Sequence, residues 1–121
     1  MELEIHVFDG SRPAETVIAL EGVLNAETAF RFRDEVRKHD SAALVIDMSR
    51  LRSMDSSGLG VLIGLYVSFE HNCKRLLLAG LNDRIWELFH TCKIEDVFRR
   101  YPTVADAEHA LTLPAESVTS T

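Results

Sequence analysis

The sequence predicts a single α/β domain built on one mixed β-sheet. Apolar segments of strand length alternate with segments of helical periodicity along the chain of 121 residues, a pattern typical of strand–helix repeats. Only turn-forming residues separate the first two strand-like segments, which indicates an antiparallel hairpin ahead of the repeats. A chain of this length buries one core of ordinary size. A hairpin followed by strand–helix repeats implies both antiparallel and parallel pairing in the sheet.

The first half of the chain contains the hairpin, one helix and a buried strand. Alternation in "LEIHVF" at 3–8 predicts the first strand, and "TVIALEG" at 16–22 predicts the second. Asn25 is the expected N-cap of a first helix over 26–40, whose acidic residues come early and basic residues late, as the helix dipole favours. The unbroken apolar run "ALVIDM" at 43–48 is typical of a strand buried on both faces.

A second helix is predicted from Ser57 to about His71, and a strand over 74–80 follows it. Asn82 is the expected N-cap of a third helix. The apolar residues of that helix recur at i, i+3, i+4 and i+7, and they predict one buried stripe of Ile85, Leu88, Phe89 and Cys92.

The last elements are short. "DVFRR" at 96–100 predicts a final strand. Thr103 and Asp106 are spaced like a capping box at the start of a last helix over 104–113. The remaining residues, 114–121, are polar and are expected to form a disordered tail.

Composition and charge disfavour several classes of protein. The formal net charge of −6 argues against binding to nucleic acid or to anionic membranes, because both require a basic surface. The longest apolar run, at 59–69, is too short to span a bilayer as a helix, and the first residues do not resemble a signal peptide. Cys73 and Cys92 are isolated, so we expect reduced thiols in the core and a cytoplasmic protein.

Polar and glycine residues lie at the junction between the third strand and the second helix, where "MDSSGLG" occupies positions 54–60. One of Asp55, Ser56 and Ser57 is expected to cap the helix, which leaves the other two available for a different role. On residue physics alone, capping is the favoured interpretation of both serines, because serine is among the preferred caps.

The second helix has an unusual composition. Gly58, Gly60 and Gly64 each cost about 1 kcal/mol relative to alanine. Gly60 and Gly64 are four residues apart, and we expect them to let one face of the helix approach a neighbouring backbone closely. The rest of the helix is apolar on nearly every side, so either the fold covers it from several directions or its start docks onto another protein.

A serine at this junction can act as a switch. A phosphate on a hydroxyl at a helix N-terminus is stabilised by unpaired N–H groups and by the helix dipole. The same charge is costly where that surface must be buried against a partner. Such a serine therefore permits docking when it is bare and opposes docking when it is phosphorylated.

The segment "VIDMSRLRSMDSSGLGVLIGLY" at 45–66 resembles the signature of STAS domains of the bacterial anti-sigma factor antagonist family. The likeness extends to "LEGVLNAETA" at 20–29, to the segment 76–98 and to "TVADAEHAL" at 103–111. It covers the chain from about Leu3 to Leu111, which is essentially the whole predicted domain.

This resemblance implies a STAS domain over 1–113, with a mixed sheet and about four helices packed mainly on one side. Members of the family are not enzymes and need no cofactor; they regulate transcription, for instance in the stress response, by partner switching. The bare antagonist binds an anti-sigma serine kinase and releases the sigma factor. Phosphorylation of the first serine of the pair, here Ser56 with Ser57 as second choice, breaks the complex. A PP2C-type phosphatase restores the bare form.

The resemblance also implies a contact surface for the partner. The residues expected to form it are Asn25, Thr28, Met54, Asp55, Ser57, Gly58 and Leu59. The protein is expected to be a monomer or weak dimer that neither inserts into a membrane nor binds nucleic acid directly. It departs from the family pattern at Leu65–Tyr66 and in "GLNDRIW" at 80–86, so the identity of the partner stays open.

Other functions receive less support from the residues. The main alternative is a constitutive interaction subunit of a stressosome-like or lipid-transport complex. "GLGVLIG" at 58–64 approaches a dinucleotide-binding glycine pattern but carries one residue too many. The histidines lack the spacing of metal ligands, and Met54 stands where a nucleophile elbow requires glycine. No metal site and no catalytic set is therefore predicted.

Overall fold

The computed structural model describes residues 3–113, which fold into a five-stranded sheet with four helices packed on it. The predicted tail, 114–121, lies outside the described residues. The strands are β1 (Leu3–Asp9), β2 (Glu15–Leu24), β3 (Ala43–Met54), β4 (Arg75–Ala79) and β5 (Arg100–Tyr101). The helices are α1 (Ala29–Arg37), α2 (Ser56–His71), α3 (Asp83–Thr91) and α4 (Val104–Ala110).

The sheet is mixed, as the sequence predicts, and its strands lie in the order β1-β2-β3-β4-β5. β1 pairs with β2 in antiparallel fashion, whereas each later neighbour pair is parallel. Each parallel pair needs a crossover, and α1, α2 and α3 supply the three crossovers in turn. Because crossovers are right-handed and the strand order always advances in one direction, these three helices lie on the same face of the sheet.

The larger core lies between the sheet and these three helices. Phe32 of α1, Leu62 of α2 and Phe89 of α3 are fully buried there, together with Ile18 and Ile46 of the sheet. The predicted fold class is thus confirmed: a mixed sheet with four helices, three of them on one side.

β3 is buried on both faces, as its apolar run predicts. Ile46 belongs to the larger core, while Val45 faces the opposite side and belongs to a smaller core beneath α4. The α4 side of this smaller core contains small residues, Ala107 and Ala110, which let the short helix lie close to the sheet.

Two arginines hold the C-terminal end of α4. The Arg12 guanidinium donates to the carbonyl of Leu111 at 2.6 Å, and Arg75 donates to the carbonyls of Ala110, Leu111 and Leu113 at 3.3–3.4 Å. Cationic donors at a helix C-terminus satisfy unpaired carbonyls and complement the helix dipole. They therefore anchor α4, which buries little apolar surface of its own.

β3 continues to Met54, beyond the predicted end at residue 48. The segment 49–54 is rich in polar residues and lies outside the strand predicted at 43–48. Pairing with β2 extends through Gly22↔Leu51 to Leu24↔Met54, and within this extension Leu51 is buried while Arg50 and Arg52 are exposed. Hydrogen bonding to the neighbouring strand therefore overrides the polar composition of the segment.

The predicted ends of three other elements are also wrong. α1 covers 29–37 instead of 26–40, because residues 26–28 form a separate turn. β5 covers only 100–101, although Phe98 of the predicted strand is buried in the larger core. α4 ends at Ala110 instead of residue 113.

The predicted caps of the last two helices are confirmed. The side chain of Asn82 accepts a hydrogen bond from the N–H of Ile85 at 2.8 Å. The hydroxyl of Thr103 accepts one from the N–H of Asp106 at 3.1 Å. Both residues have the extended backbone typical of an N-cap.

The expectation of core cysteines is wrong, because Cys73 and Cys92 are both exposed. Cys73 follows α2 in a left-handed backbone conformation with φ of 58°. Cys92 is the C-cap of α3, so the helix ends before the predicted stripe reaches it. The stripe that is formed has Ile85 and Phe89 buried, with Leu88 half-buried.

Within 3–113, the helices are too short or too polar for any of them to cross a membrane.

We expect Arg75→Met to loosen α4, because the carbonyls at its C-terminal end lose donors while the rest of the core is kept. The free energy of unfolding should fall by about 1 kcal/mol, and amide hydrogen exchange should accelerate more in α4 than in α3. Urea denaturation and exchange followed by NMR measure the two effects. Arg84→Met, at an exposed position of α3, is the control, and equal effects of the two substitutions would contradict the anchoring role.

Candidate functional site

The candidate site lies where β2 and β3 end side by side. Leu24 and Met54 are the last residues of these parallel strands and are paired with each other. The N–H of Asp55 donates to the carbonyl of Leu24 at 3.1 Å and so ties the start of α2 to the end of β2. The turn after β2 and the turn after β3 therefore meet at one edge of the sheet.

Of the three residues that could have been the N-cap of α2, Asp55 takes that role. Its Oδ1 accepts hydrogen bonds from the N–H groups of Ser57 at 2.9 Å and Gly58 at 3.1 Å. Its backbone is extended, and Ser56 is the first residue of the helix. Both serines are exposed, and within residues 3–113 no hydrogen bond involves either hydroxyl. The serines are thus free of the capping role that residue physics alone assigned to them.

The capping by Asp55 changes the electrostatics expected for a phosphate at Ser56. The carboxylate already occupies two of the N–H groups that were expected to stabilise an added charge. A phosphate on Ser56 would keep the favourable helix dipole, but it would also adjoin a carboxylate of the same sign. The helix terminus would therefore hold such a charge less firmly than the sequence suggests.

Asn25 and Thr28 shape the neighbouring turn. Asn25 Oδ1 accepts from the N–H groups of Glu27 at 2.9 Å and Thr28 at 3.1 Å. The Thr28 hydroxyl donates to the carbonyl of Val23 at 2.8 Å and accepts from the N–H of Asn25 at 2.9 Å. The predicted role of Asn25 as N-cap of α1 is wrong, because that position is taken by Thr28, whose hydroxyl is directed back to β2. Asn25 caps the turn that precedes the helix.

Gly58 allows the first turn of α2 to lie against the end of β2. A Cβ at this position would come within 2.7 Å of the Leu24 carbonyl oxygen and 2.9 Å of the Leu24 side chain. The absence of a side chain is therefore a packing requirement, in addition to any effect on a partner.

The eight sequence-predicted site residues lie at this one edge, but at different depths. Asp55, Ser56 and Ser57 are exposed, and Asn25 and Met54 are half-buried. The buried ones are Thr28, Gly58 and Leu59. In this conformation the buried three support the surface, and the other five are able to touch a partner.

Gly60 and Gly64 do not bring α2 close to another backbone, contrary to the sequence-based expectation. A Cβ added at either position would meet no atom within 4 Å in the described part of the chain, apart from the adjoining residues and backbone of α2 itself. Both residues instead line an open groove of about 460 Å³ between α1 and α2, which begins at Ser57. Phe30, which is 53% exposed, lines the groove from α1.

The α1–α2 groove was missed at the level of the sequence. We define it by Phe30, Arg33 and Arg37 on α1 and by Gly60, Gly64 and Leu65 on α2. A signal was present, because Phe30 lies outside the buried stripe of α1 formed by Ala29, Phe32 and Val36. Phe30 and the apolar residues of α2 together line one open groove, and a contiguous apolar surface of this kind marks interaction sites more often than a single exposed side chain does.

One group among the described residues has the composition of a metal site. Glu4, His6 and Glu21 bring their ligand atoms within 4.8 Å of one another on β1 and β2. The His6 ring is 47% exposed and contacts Glu4 at 3.4 Å, an arrangement that a surface ion pair explains. None of its three residues is among the predicted site residues.

Comparison with known proteins places this geometry in a family. The sequence model of the protein family described as "STAS domain" matches residues 5–107 of this chain. A Listeria monocytogenes protein named anti-sigma-B factor antagonist is 31% identical over 83 residues, which are 66% of this chain and 73% of that protein.

Solved structures share the fold. The anti-sigma factor antagonist SpoIIAA in its unphosphorylated form superposes with a TM-score of 0.73 at 16% identity, covering 92% of this chain and 99% of that one. The phosphorylated form of SpoIIAA from Bacillus gives a TM-score of 0.70 at 19% identity, covering 89% and 99%. A sulfate transporter family protein from Wolinella succinogenes gives 0.75 at 16% identity, covering 86% and 89%. At such identities these likenesses concern the fold alone.

We expect Gly58→Ala to destabilise the protein even though alanine is the better helix former. The added methyl group would collide with the backbone of β2, so the unfolding free energy should fall by about 1–3 kcal/mol. The matched control is Gly60→Ala, which meets no atom and should raise it by up to about 1 kcal/mol. Chemical denaturation measures both variants. An increase in the unfolding free energy of both variants would show that packing does not require glycine at position 58.

Proposed function

The chain belongs to the STAS domain family, and from this premise we propose that it is an anti-sigma factor antagonist that acts by partner switching. One observation carries the proposal. At the start of α2, Asp55 performs the capping, and the hydroxyls of Ser56 and Ser57 remain exposed. The similarity to a protein named anti-sigma-B factor antagonist supports the same function.

In the bare state, the partner binds at the edge where β2 and β3 end. Exposed Ser56 and Ser57 lie beside half-buried Asn25 and Met54, so the surface combines polar groups with part of an apolar side chain. The partner is an anti-sigma serine kinase. When this chain binds the kinase, the kinase releases the sigma factor. This chain acts as binder and as substrate of the kinase, without catalysis of its own.

Phosphorylation of Ser56 ends the complex. The Ser56 oxygen attacks the γ-phosphorus of ATP held by the kinase, an O–P bond forms, the bond to ADP breaks, and the hydroxyl proton passes to a base of the kinase. The product carries about −1.5 to −2 additional charges at neutral pH. Because Asp55 is adjacent and already uses two N–H groups of the helix terminus, this charge must stay hydrated, and its burial against a partner becomes costly. A PP2C-type phosphatase hydrolyses the phosphate ester and restores the bare form.

We expect protein isolated from its native cells to contain a fraction about 80 Da heavier, with the phosphate on Ser56. Intact-mass spectrometry with fragmentation identifies the residue. Ser56→Ala should abolish the heavier species and Ser57→Ala should retain it. A phosphate that persists in Ser56→Ala and disappears in Ser57→Ala would move the site to the second serine.

We expect Ser56→Ala to bind the kinase as the wild type does, and Ser56→Asp to bind at least about tenfold more weakly, a loss of about 1.4 kcal/mol. Calorimetry with the purified kinase measures both affinities, and circular dichroism confirms that both variants keep the fold. Equal binding by both variants would contradict the switch. Together with an absence of phosphate in cells, it would favour a constitutive interaction subunit.

A further inference from the structure

The α1–α2 groove has the shape of a seat for a third helix. Its α2 side is formed by Ser57, Gly60, Val61, Gly64 and Leu65, which recur at i, i+3, i+4, i+7 and i+8 and so form one continuous face. A second depression of about 270 Å³ continues past Leu65 to Ser68. From Ser57 to Ser68 the groove follows about three turns of helix, roughly 17 Å.

The floor of the groove is open to the backbone of an incoming segment. At Gly60 and Gly64, no atom of residues 3–113 lies within 4 Å of where a Cβ would stand, apart from the adjoining residues and backbone of α2 itself. Leu65 is buried, and Val61 is half-buried between the helices. An α-helix laid along this row can approach more closely than it could over larger side chains. The walls are themselves two helices without an unpaired strand edge, so an extended peptide would find no backbone partner.

The rim of the groove is cationic in an otherwise acidic chain. Arg33 and Arg37 line the larger depression, no acidic residue lines it, and the whole chain has a net charge of −6. Arg33 lies over the Phe30 ring at 4.6 Å, which holds the guanidinium at the groove. Its ion pair with Asp34, at 3.2 Å, is exposed and therefore weak.

The neighbouring acid of α1 is already occupied by other partners. Glu35 does not line the larger depression, and hydrogen bonds from His39 and Lys38 engage its carboxylate. The bond from His39, followed by the charge and hydrogen bond of Lys38, lowers the pKa of Glu35. Lys74 and Asp40 both line the second depression and form an ion pair with each other at 3.2 Å. The unmatched positive charge of the groove is therefore that of Arg37, which forms no ion pair within residues 3–113, and of Arg33, whose only ion pair there is the exposed one with Asp34.

We propose that the α1–α2 groove binds an acidic amphipathic α-helix of the partner protein, with its apolar stripe over Gly60 and Gly64 and its carboxylates at Arg33 and Arg37. Only the identity of the protein that carries this helix rests on the proposed function. The selectivity of the groove for acidic helices follows from its own shape and charge.

The groove also connects to the phosphoacceptor. Ser57 lines its first end, and Ser56 is the preceding residue. A phosphate there would place negative charge at the end of a seat for an acidic helix. Phosphorylation would then weaken binding of the partner in two ways: the phosphate would repel the acidic helix, and burying the phosphate against the partner would be costly.

A synthetic peptide tests the groove without the kinase. The probe is an amphipathic helix of about four turns, with a leucine stripe flanked by glutamates, and its counterpart has lysine in place of each glutamate. In titrations followed by ¹⁵N NMR, the acidic peptide should shift the amides of Gly60, Gly64 and Ala29 in a saturable way. The lysine peptide should leave them unchanged.

Two pairs of variants locate the binding. The double variant Gly60→Leu/Gly64→Leu fills the floor of the groove with residues of higher helix propensity. It should weaken binding of the acidic peptide at least about tenfold. Its control, Val67→Leu on an exposed face of α2, should leave binding unchanged. Arg37→Glu should weaken peptide binding and remove most of the salt dependence of that binding. Its control, Arg31→Glu, lies on α1 outside the groove and should change neither. Absence of saturable shifts, shifts at other residues or equal binding by the filled variant would overturn the proposal. A phosphate on Ser56 that breaks the kinase complex while the peptide fails to bind would leave the proposed function standing without the groove.

Discussion

Parallel pairing of β2 and β3 to their final residues is the constraint on which the candidate site depends. Because Leu24 and Met54 are partners, the turn that contains Asn25 and the turn that contains Asp55 leave the sheet at the same place. The hydrogen bond from Asp55 to Leu24 and the absence of a side chain at Gly58 then press the start of α2 onto β2. In open α/β sheets, ligand sites are found outside the carboxyl ends of the strands. Here the same edge presents two serines.

Much of this arrangement follows from local sequence. The alternation of strands and helices, the apolar run of β3 and the caps at Asn82 and Thr103 are encoded within a few residues of each position, so the pattern was sufficient to predict them. The segment 49–54 was predicted wrongly because its own residues are polar and its strand conformation comes from pairing with β2. Asn25 shows a similar limit. An asparagine that caps a turn and one that caps a helix use the same side-chain oxygen. The two roles differ in where the helix begins, and here it begins after Thr28, so Asn25 accepts from the N–H groups of the preceding turn.

Asp55 carries two roles that oppose each other once a phosphate is added. Its carboxylate satisfies two N–H groups at the start of α2, which stabilises the helix and releases both serines from capping. The same carboxylate occupies the donors that would otherwise hold a phosphate on Ser56. Because Asp55 takes these donors, a phosphate added to Ser56 would remain available to solvent and, in the proposed switch, to a phosphatase. This is the property that a reversible switch requires, and a phosphate locked into a helix terminus would lack it.

The two faces of α2 have different explanations for their lack of charged residues. Leu59, Leu62, Leu65 and Phe69 form its buried face, and the core accounts for them. Gly58 is required by the backbone of β2. Within residues 3–113, Gly60 and Gly64 have no such packing reason, although each lowers helix stability by about 1 kcal/mol relative to alanine. The two explanations left open by the sequence thus apply to different faces of one helix. The fold covers the leucine face, and the glycine face, which is open and bordered by arginines within residues 3–113, is the one that we propose for the partner helix.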